Sequence, residues 1–360
     1  MRKDADSSRL NNFDFIRFCL AVTVIFSHSY PIGQGDQSHD PFEKALGVSA
    51  GHLAVACFFS ISGYLIIASW SRKKSIGDYF YKRVARIYPG WLAVNLITIG
   101  VLASFYMITL SDVVAWIPEV PLLGYFSVPN AFSGNNYPGV INGSLWTIPY
   151  EFQCYIAVAV LGILGLAGSY RLLCATLMVL VISWSNSTFH WLPNSSVTSF
   201  FSLASFFFVG ACLFEFRDRV EYSFRMASAV LIVGGVAFCF PILRHAVPPI
   251  AITYLILYAA FQQHVKLHSF GKYGDFSYGI YLYAFPIQQC IVWAGGGAMN
   301  PILLFLLATP PSIVAGIASW YGIERRCLPK KRQRETPNIE EAVRPVETGV
   351  EDATVEFVES

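Results

Sequence analysis

The chain has 360 residues, of which 54% are apolar, 16% aromatic and only 13% charged, and its net charge is +2. A soluble domain carries about 25% charged residues, so this composition excludes an ordinary soluble enzyme and places the chain in lipid. The net charge decides nothing by itself, no nucleic-acid partner is expected, and the length suits one all-α polytopic bundle of about ten helices of about 20 residues each.

Apolar runs fall in chain order at roughly 13–30, 52–70, 88–108, 146–167, 171–186, 198–214, 225–243, 246–263, 276–294 and 300–321. The first contains Asp14 and Arg17 and lacks a following small-residue cleavage site, so it reads as a retained span rather than a signal peptide. Positive charge then tests the count. Arg2, Lys3 and Arg9 precede the first run, and Arg72, Lys73, Lys74, Lys82, Arg83 and Arg86 lie between the second and third. Arg217, Arg219, Arg225, Lys266, Lys272 and the cluster from Arg325 to Arg334 continue on the same side. The opposite connections, 31–51, 109–145, 187–197, 244–245 and 295–299, hold only Lys44 and Arg244. Positive charge collects on the cytoplasmic side, so both termini are expected there, in a multi-pass protein of the cytoplasmic membrane.

The longest outer connection, 109–145, is rich in Pro, Gly, Asn and aromatics. Such side chains suit sugar or headgroup contact, but an interfacial aromatic belt is the simpler expectation. The membrane domain is read as 1–326, followed by a basic and then acidic tail, 327–360, expected to be disordered. The eight cysteines form no C-x-x-C pair and no metal-ligand spacing, so neither a disulfide framework nor a metal site is expected.

Few ionisable residues fall inside the apolar runs, and each is costly at that depth. Arg17 and His28 are eleven positions apart, about three helical turns, so they share nearly one face, roughly 16 Å apart. Glu151 starts the fourth run after Pro149, which is expected to bend that helix, and is the natural partner to orient the His28 imidazole as a base. Asp14 can pair with Arg17. Arg83 and Arg86 share a face at the cytoplasmic mouth of the third run. Positive-inside anchoring and bidentate capture of a phosphorylated ligand compete as readings for them. Ser60, Ser62 and Gly63 permit close helix approach, and Ser62 could equally stand beside a reacting carbonyl.

These segments, in order, resemble the type 3 acyltransferases of bacterial membranes. Asn12 to Arg17 with Ser27-His28 is similar to the family's opening motif. Phe58-Phe59 with Ser62-Gly63-Tyr64-Leu65 resembles its F-F-x-x-S-G-[FY]-L segment, and Arg83 to Pro89 its R-x-x-R-I-x-P segment. Ser144-Leu145-Trp146 with Glu151 resembles S-L-W-x-[LI]-x-x-E. Phe276 to Tyr283 and Ser319 to Arg325 resemble the last two spans. There are departures. Ala284 stands where the family often has a late histidine, and Arg326 where a proline commonly follows the final E-R.

The resemblance implies a membrane O-acyltransferase. Its donor would be a cytoplasmic acyl-CoA, with acetyl-CoA expected, and its acceptor a hydroxyl of an extracytoplasmic glycan or glycolipid. His28 and Glu151 are then the expected catalytic pair, and Arg17, Arg83 and Arg86 the donor-binding residues. Asp14, Ser62, Trp146 and Tyr281 would support substrate or structure, with no metal. The competing class is a transporter or lipid flippase using the same intramembrane His, Glu and Arg as relays. No inverted repeat speaks for it.

Overall fold

The structure is a computed structural model that describes residues 11–73, 75–105, 107–128, 130–240, 242–262 and 267–329. The expected disordered tail after Thr336 lies outside the described residues. Among the described residues the chain is helical and has no strand. Ten helices carry the fold: α1 Phe13–Gln34, α2 Ala50–Ser71, α3 Ile76–Ser104, α4 Ile148–Ile163, α5 Ser169–Phe189, α6 Ser195–Glu215, α7 Phe224–Phe238, α8 Pro248–Ala260, α9 Ser277–Ala294 and α10 Pro301–Ser319. Side-chain oxygens of Ser49, Ser75, Asn194, Ser223 and Asn300 cap the orphan N–H groups that open α2, α3, α6, α7 and α10.

Each helix overlaps one apolar run, but they are not ten equal crossings. Six are long and apolar enough to cross a bilayer: α1, α2, α3, α5, α6 and α10, the last continuing to Cys327. Two more apolar helices, Phe224–Ala237 and Pro248–Ala260, are shorter. The protein is therefore a multi-pass helical membrane protein. The third helix starts well before its apolar run, because Ser75 caps it and Lys82, Arg83 and Arg86 extend it as a polar first part.

α1 packs against α2, α9 and α10, and α2 also packs against α4, α6 and α8. The closest crossing is α2 on α6. A Cβ on Gly63 would overlap the Phe207 carbonyl, and one on Gly210 would overlap the Ser60 carbonyl. Glycine at both positions is what lets the two backbones touch.

The segment before α4 departs most from expectation. Phe126, Val128, Ala131, Phe132 and Ile141 are buried, so much of this connection is core rather than interfacial belt. It runs down the side of α9. Asn135 donates to the Gln289 carbonyl at 3.0 Å, and Gln289 donates to the carbonyls of Tyr137 and Val140. Asn142 donates to the Leu282 carbonyl, and Tyr281 donates to the Ser144 carbonyl at 2.6 Å. These bonds satisfy irregular backbone inside the bundle, where no water is at hand to do so. From Gln289 to Tyr281 the descent is roughly 12 Å. α4 thus begins partway through the bundle, with Pro149 in its first turn. There a missing N–H costs nothing, so Pro149 starts the helix instead of bending it.

Candidate active site

The sequence-predicted residues separate into two groups. Arg17, Ser62, Arg83, Arg86, Glu151 and Tyr281 line one cavity of about 170 Å³, and Phe58, Thr147, Tyr155 and Tyr278 contribute to its wall. His28 does not line it.

The level of each residue follows from helix contacts. Gly51 of α2 abuts Ser27 of α1. Ser62 lies eleven residues further along α2, and Arg17 ten residues back along α1, so both sit roughly 15 Å from that level. Glu151 joins them, because Ser62 donates to its Oε1 at 2.7 Å and Tyr155 donates to the same oxygen at 2.6 Å. No hydrogen bond or ion pair joins Glu151 to His28 among the described residues. The expected His28–Glu151 pair is therefore not formed. The descending segment carries Glu151 past the histidine to the basic end, which adjacency to an outer loop did not foretell.

The three arginines have unequal surroundings. Arg86 donates to Asp275 at 2.5 Å and to Glu324 at 3.4 Å, and Ser319 donates to the other Glu324 oxygen at 2.8 Å. Arg17 pairs with Asp14 and with Asp275 at 3.2 Å. Burial alone would raise the Asp275 carboxyl. Arg17, Arg86 and hydrogen bonds from Ser277 outweigh it and hold the carboxyl at about 2. Arg83 differs: among the described residues no carboxylate pairs with it. It donates to Ser69 at 3.1 Å, sits 5.7 Å from the Tyr79 ring and 5.8 Å from the Tyr155 ring, and its buried Nε has no acceptor. Arg83 thus faces the cavity as a cation with donors left over.

His28 lies on the far side of an aromatic layer. Its ring meets Phe285 edge-on at 5.1 Å, and its buried Nδ1 has no partner. Phe58 packs against the cluster of Ile25, Ala284 and Phe285 while also lining the arginine cavity, 6.0 Å from the Tyr281 ring. Tyr281 is fixed further by Thr147 at 2.7 Å. Trp146 meets Tyr150 edge-on at 5.8 Å and stands outside the cavity wall. Ala284, where the family often has histidine, packs in the α1–α9 core. Among the described residues no group of His, Cys, Asp and Glu converges as a metal site requires.

Sequence reasoning missed Asp275, Tyr155 and Gln288. Asp275 lies one residue before the Phe276 to Tyr283 segment. Only the fold shows that this carboxylate bridges Arg17 and Arg86.

The profile of the acyltransferase domain family matches residues 10–321, which takes in both the arginine cavity and His28. This chain belongs to the type 3 acyltransferase family. It is similar to an O-acetyl transferase of Shigella phage Sf6, with 28% identity over 88% of this chain and 96% of that protein. It is also similar to Nodulation protein 10 of Rhizobium leguminosarum bv. viciae, with 30% identity over 43% of this chain and 45% of that protein. Acyltransferase MdmB of Streptomyces mycarofaciens is 29% identical over 29% of this chain and 27% of its own length. No solved structure matches the chain. Family membership makes the protein an acyltransferase enzyme rather than a transporter.

Proposed function

We propose that this acyltransferase moves an acetyl group from acetyl-CoA on the cytoplasmic side to a hydroxyl of a glycan or glycolipid on the other side. The observation that carries the reading is the separation of two chemistries along one helix. α1 bears Arg17 in the arginine cavity and His28 roughly 16 Å away, against Phe285 of α9. That gap suits an extended pantetheine arm whose phosphates stay with the arginines. Arg83 is the main phosphate ligand, since Arg86 and Arg17 already neutralise Asp275, Glu324 and Asp14. The arm passes the Phe58–Tyr281 layer, which must part to admit it.

At the far end His28 takes the proton of the acceptor hydroxyl. The oxygen attacks the thioester carbonyl, the C–O bond forms, and the C–S bond breaks. The leaving CoA thiolate recovers the proton from the imidazolium. General-base help of this kind is worth about 10²–10⁴-fold, and fixing both reactants contributes more. The acceptor class rests on the Shigella phage relative's description as an O-acetyl transferase, together with the family resemblance.

The decisive experiment follows labelled acetyl transfer in membranes and in purified protein. His28→Ala is expected to abolish transfer while leaving expression and acetyl-CoA binding intact. Transfer at the wild-type rate by that variant would refute the reading. Comparing surface glycans by mass spectrometry, with and without the gene, identifies the acceptor.

A further inference from the structure

We infer that Gln288 of α9, not Glu151, is the positioning residue for His28: a turn of the imidazole, whose Nδ1 is unpaired in the structure, places its Nδ1–H on Gln288 Oε1 and leaves Nε2 as the base. This rests on the reading of His28 as the base.

Four observations converge. First, the two residues that flank His28 are each anchored by buried side chains from other parts of the chain. Ser27 donates to the fully buried Asp40 at 2.7 Å, and Ser29 receives a hydrogen bond from Gln288 at 2.8 Å. The α1 backbone at His28 is thus held rigidly, while its buried Nδ1 has no partner among the described residues. Second, Gln288 is fully buried and already reaches this turn, donating to the Ile25 carbonyl at 2.9 Å. A carbonyl only accepts, so the amide nitrogen must face it. That fixes the amide orientation and leaves Oε1 as the spare acceptor.

Third, Gln288 Oε1 and His28 Nδ1 are both buried and both without partners, and they belong to the same α1–α9 contact. An unmet buried acceptor and an unmet buried donor are each costly, and satisfying one with the other removes both costs. Fourth, His28 meets Phe285, one turn before Gln288 on α9, so α9 presents both the aromatic contact and the amide to α1. The small Ala284 packs in the α1–α9 core beside them and offers no polar group of its own. A neutral imidazole whose Nδ1 carries the proton presents Nε2 as the lone-pair nitrogen, the form a general base needs.

The test reads tautomer and turnover separately. In protein labelled with ¹⁵N-histidine, the His28 signals, assigned by their loss in His28→Ala, are expected to show a protonated Nδ1 and a bare Nε2. Gln288→Met keeps the side-chain length but lacks the acceptor. It is expected to shift His28 toward the Nε2–H form and lower kcat about tenfold, with KM for acetyl-CoA unchanged. Gln288→Glu restores an acceptor oxygen and is expected to restore the Nδ1–H tautomer. A wild-type His28 protonated on Nε2, or a Gln288→Met protein with wild-type tautomer and kcat, overturns the inference, and the first of these needs no variant to fold. Full activity in His28→Ala together with a tautomer shift in Gln288→Met would instead refute the base and leave the positioning contact standing.

Discussion

Ser62 donates its hydroxyl to the Glu151 carboxylate at 2.7 Å, joining α2 to α4 inside the arginine cavity. That bond holds Glu151 in the arginine cavity, away from the histidine. The pH–rate profile of Glu151→Gln should therefore superimpose on that of the wild type, because no contact couples this carboxylate to the base. The loss is expected in KM for acetyl-CoA, about tenfold, the scale of one charged hydrogen bond. A displaced apparent pKa in that variant would show that Glu151 does orient His28.

Arg83 and Arg86 should fail in different ways. Arg83→Gln removes a cation with no carboxylate partner among the described residues, so the protein should fold normally and bind acetyl-CoA at least tenfold more weakly. Arg86→Gln strands Glu324 and leaves Asp275 to Arg17 alone, and leaving a buried ion without its partner costs about 3 kcal/mol. Thermal denaturation in detergent and yield of folded protein should distinguish them. Equal stability for the two variants would contradict the division of roles.

The α2–α6 crossing should tolerate no side chain at Gly63. Gly63→Val would push on the Phe207 carbonyl, and backbone cannot step aside as a flexible side chain can. Little or no folded protein is expected. Gly100→Ala, at an open position on α3, is the control and should express as the wild type does.

Asp275 makes the basic end sensitive to acid. Its carboxyl is held down at about 2, against about 3.9 in an unfolded chain. For a depressed acid, the stabilisation is complete above the unfolded value and is lost as pH falls through the folded one. The window is therefore pH 4 down to 2, with roughly 2.5 kcal/mol at stake. Melting temperature should be flat in this respect from pH 5 to 8 and fall below pH 4. Asp275→Asn should be less stable at neutral pH and lose that acid-dependent component.

Much was legible in the chain itself. Ten apolar runs became ten helices, and the Arg17–His28 interval became a shared helix, because hydrophobic periodicity and a 1.5 Å rise are local properties. The ordered motifs pointed to the family that the profile of residues 10–321 establishes. Tertiary structure decided which polar groups meet. Glu151 left His28 for Ser62 and Tyr155 because the segment before α4 descends along α9, held by Asn135, Asn142 and Tyr281. Arg86 and Arg83, identical in type and one turn apart, parted because Asp275 and Glu324 reach only the first of them. Pairing depends on positions brought together from as far as 263 residues away, and no local pattern encodes that distance.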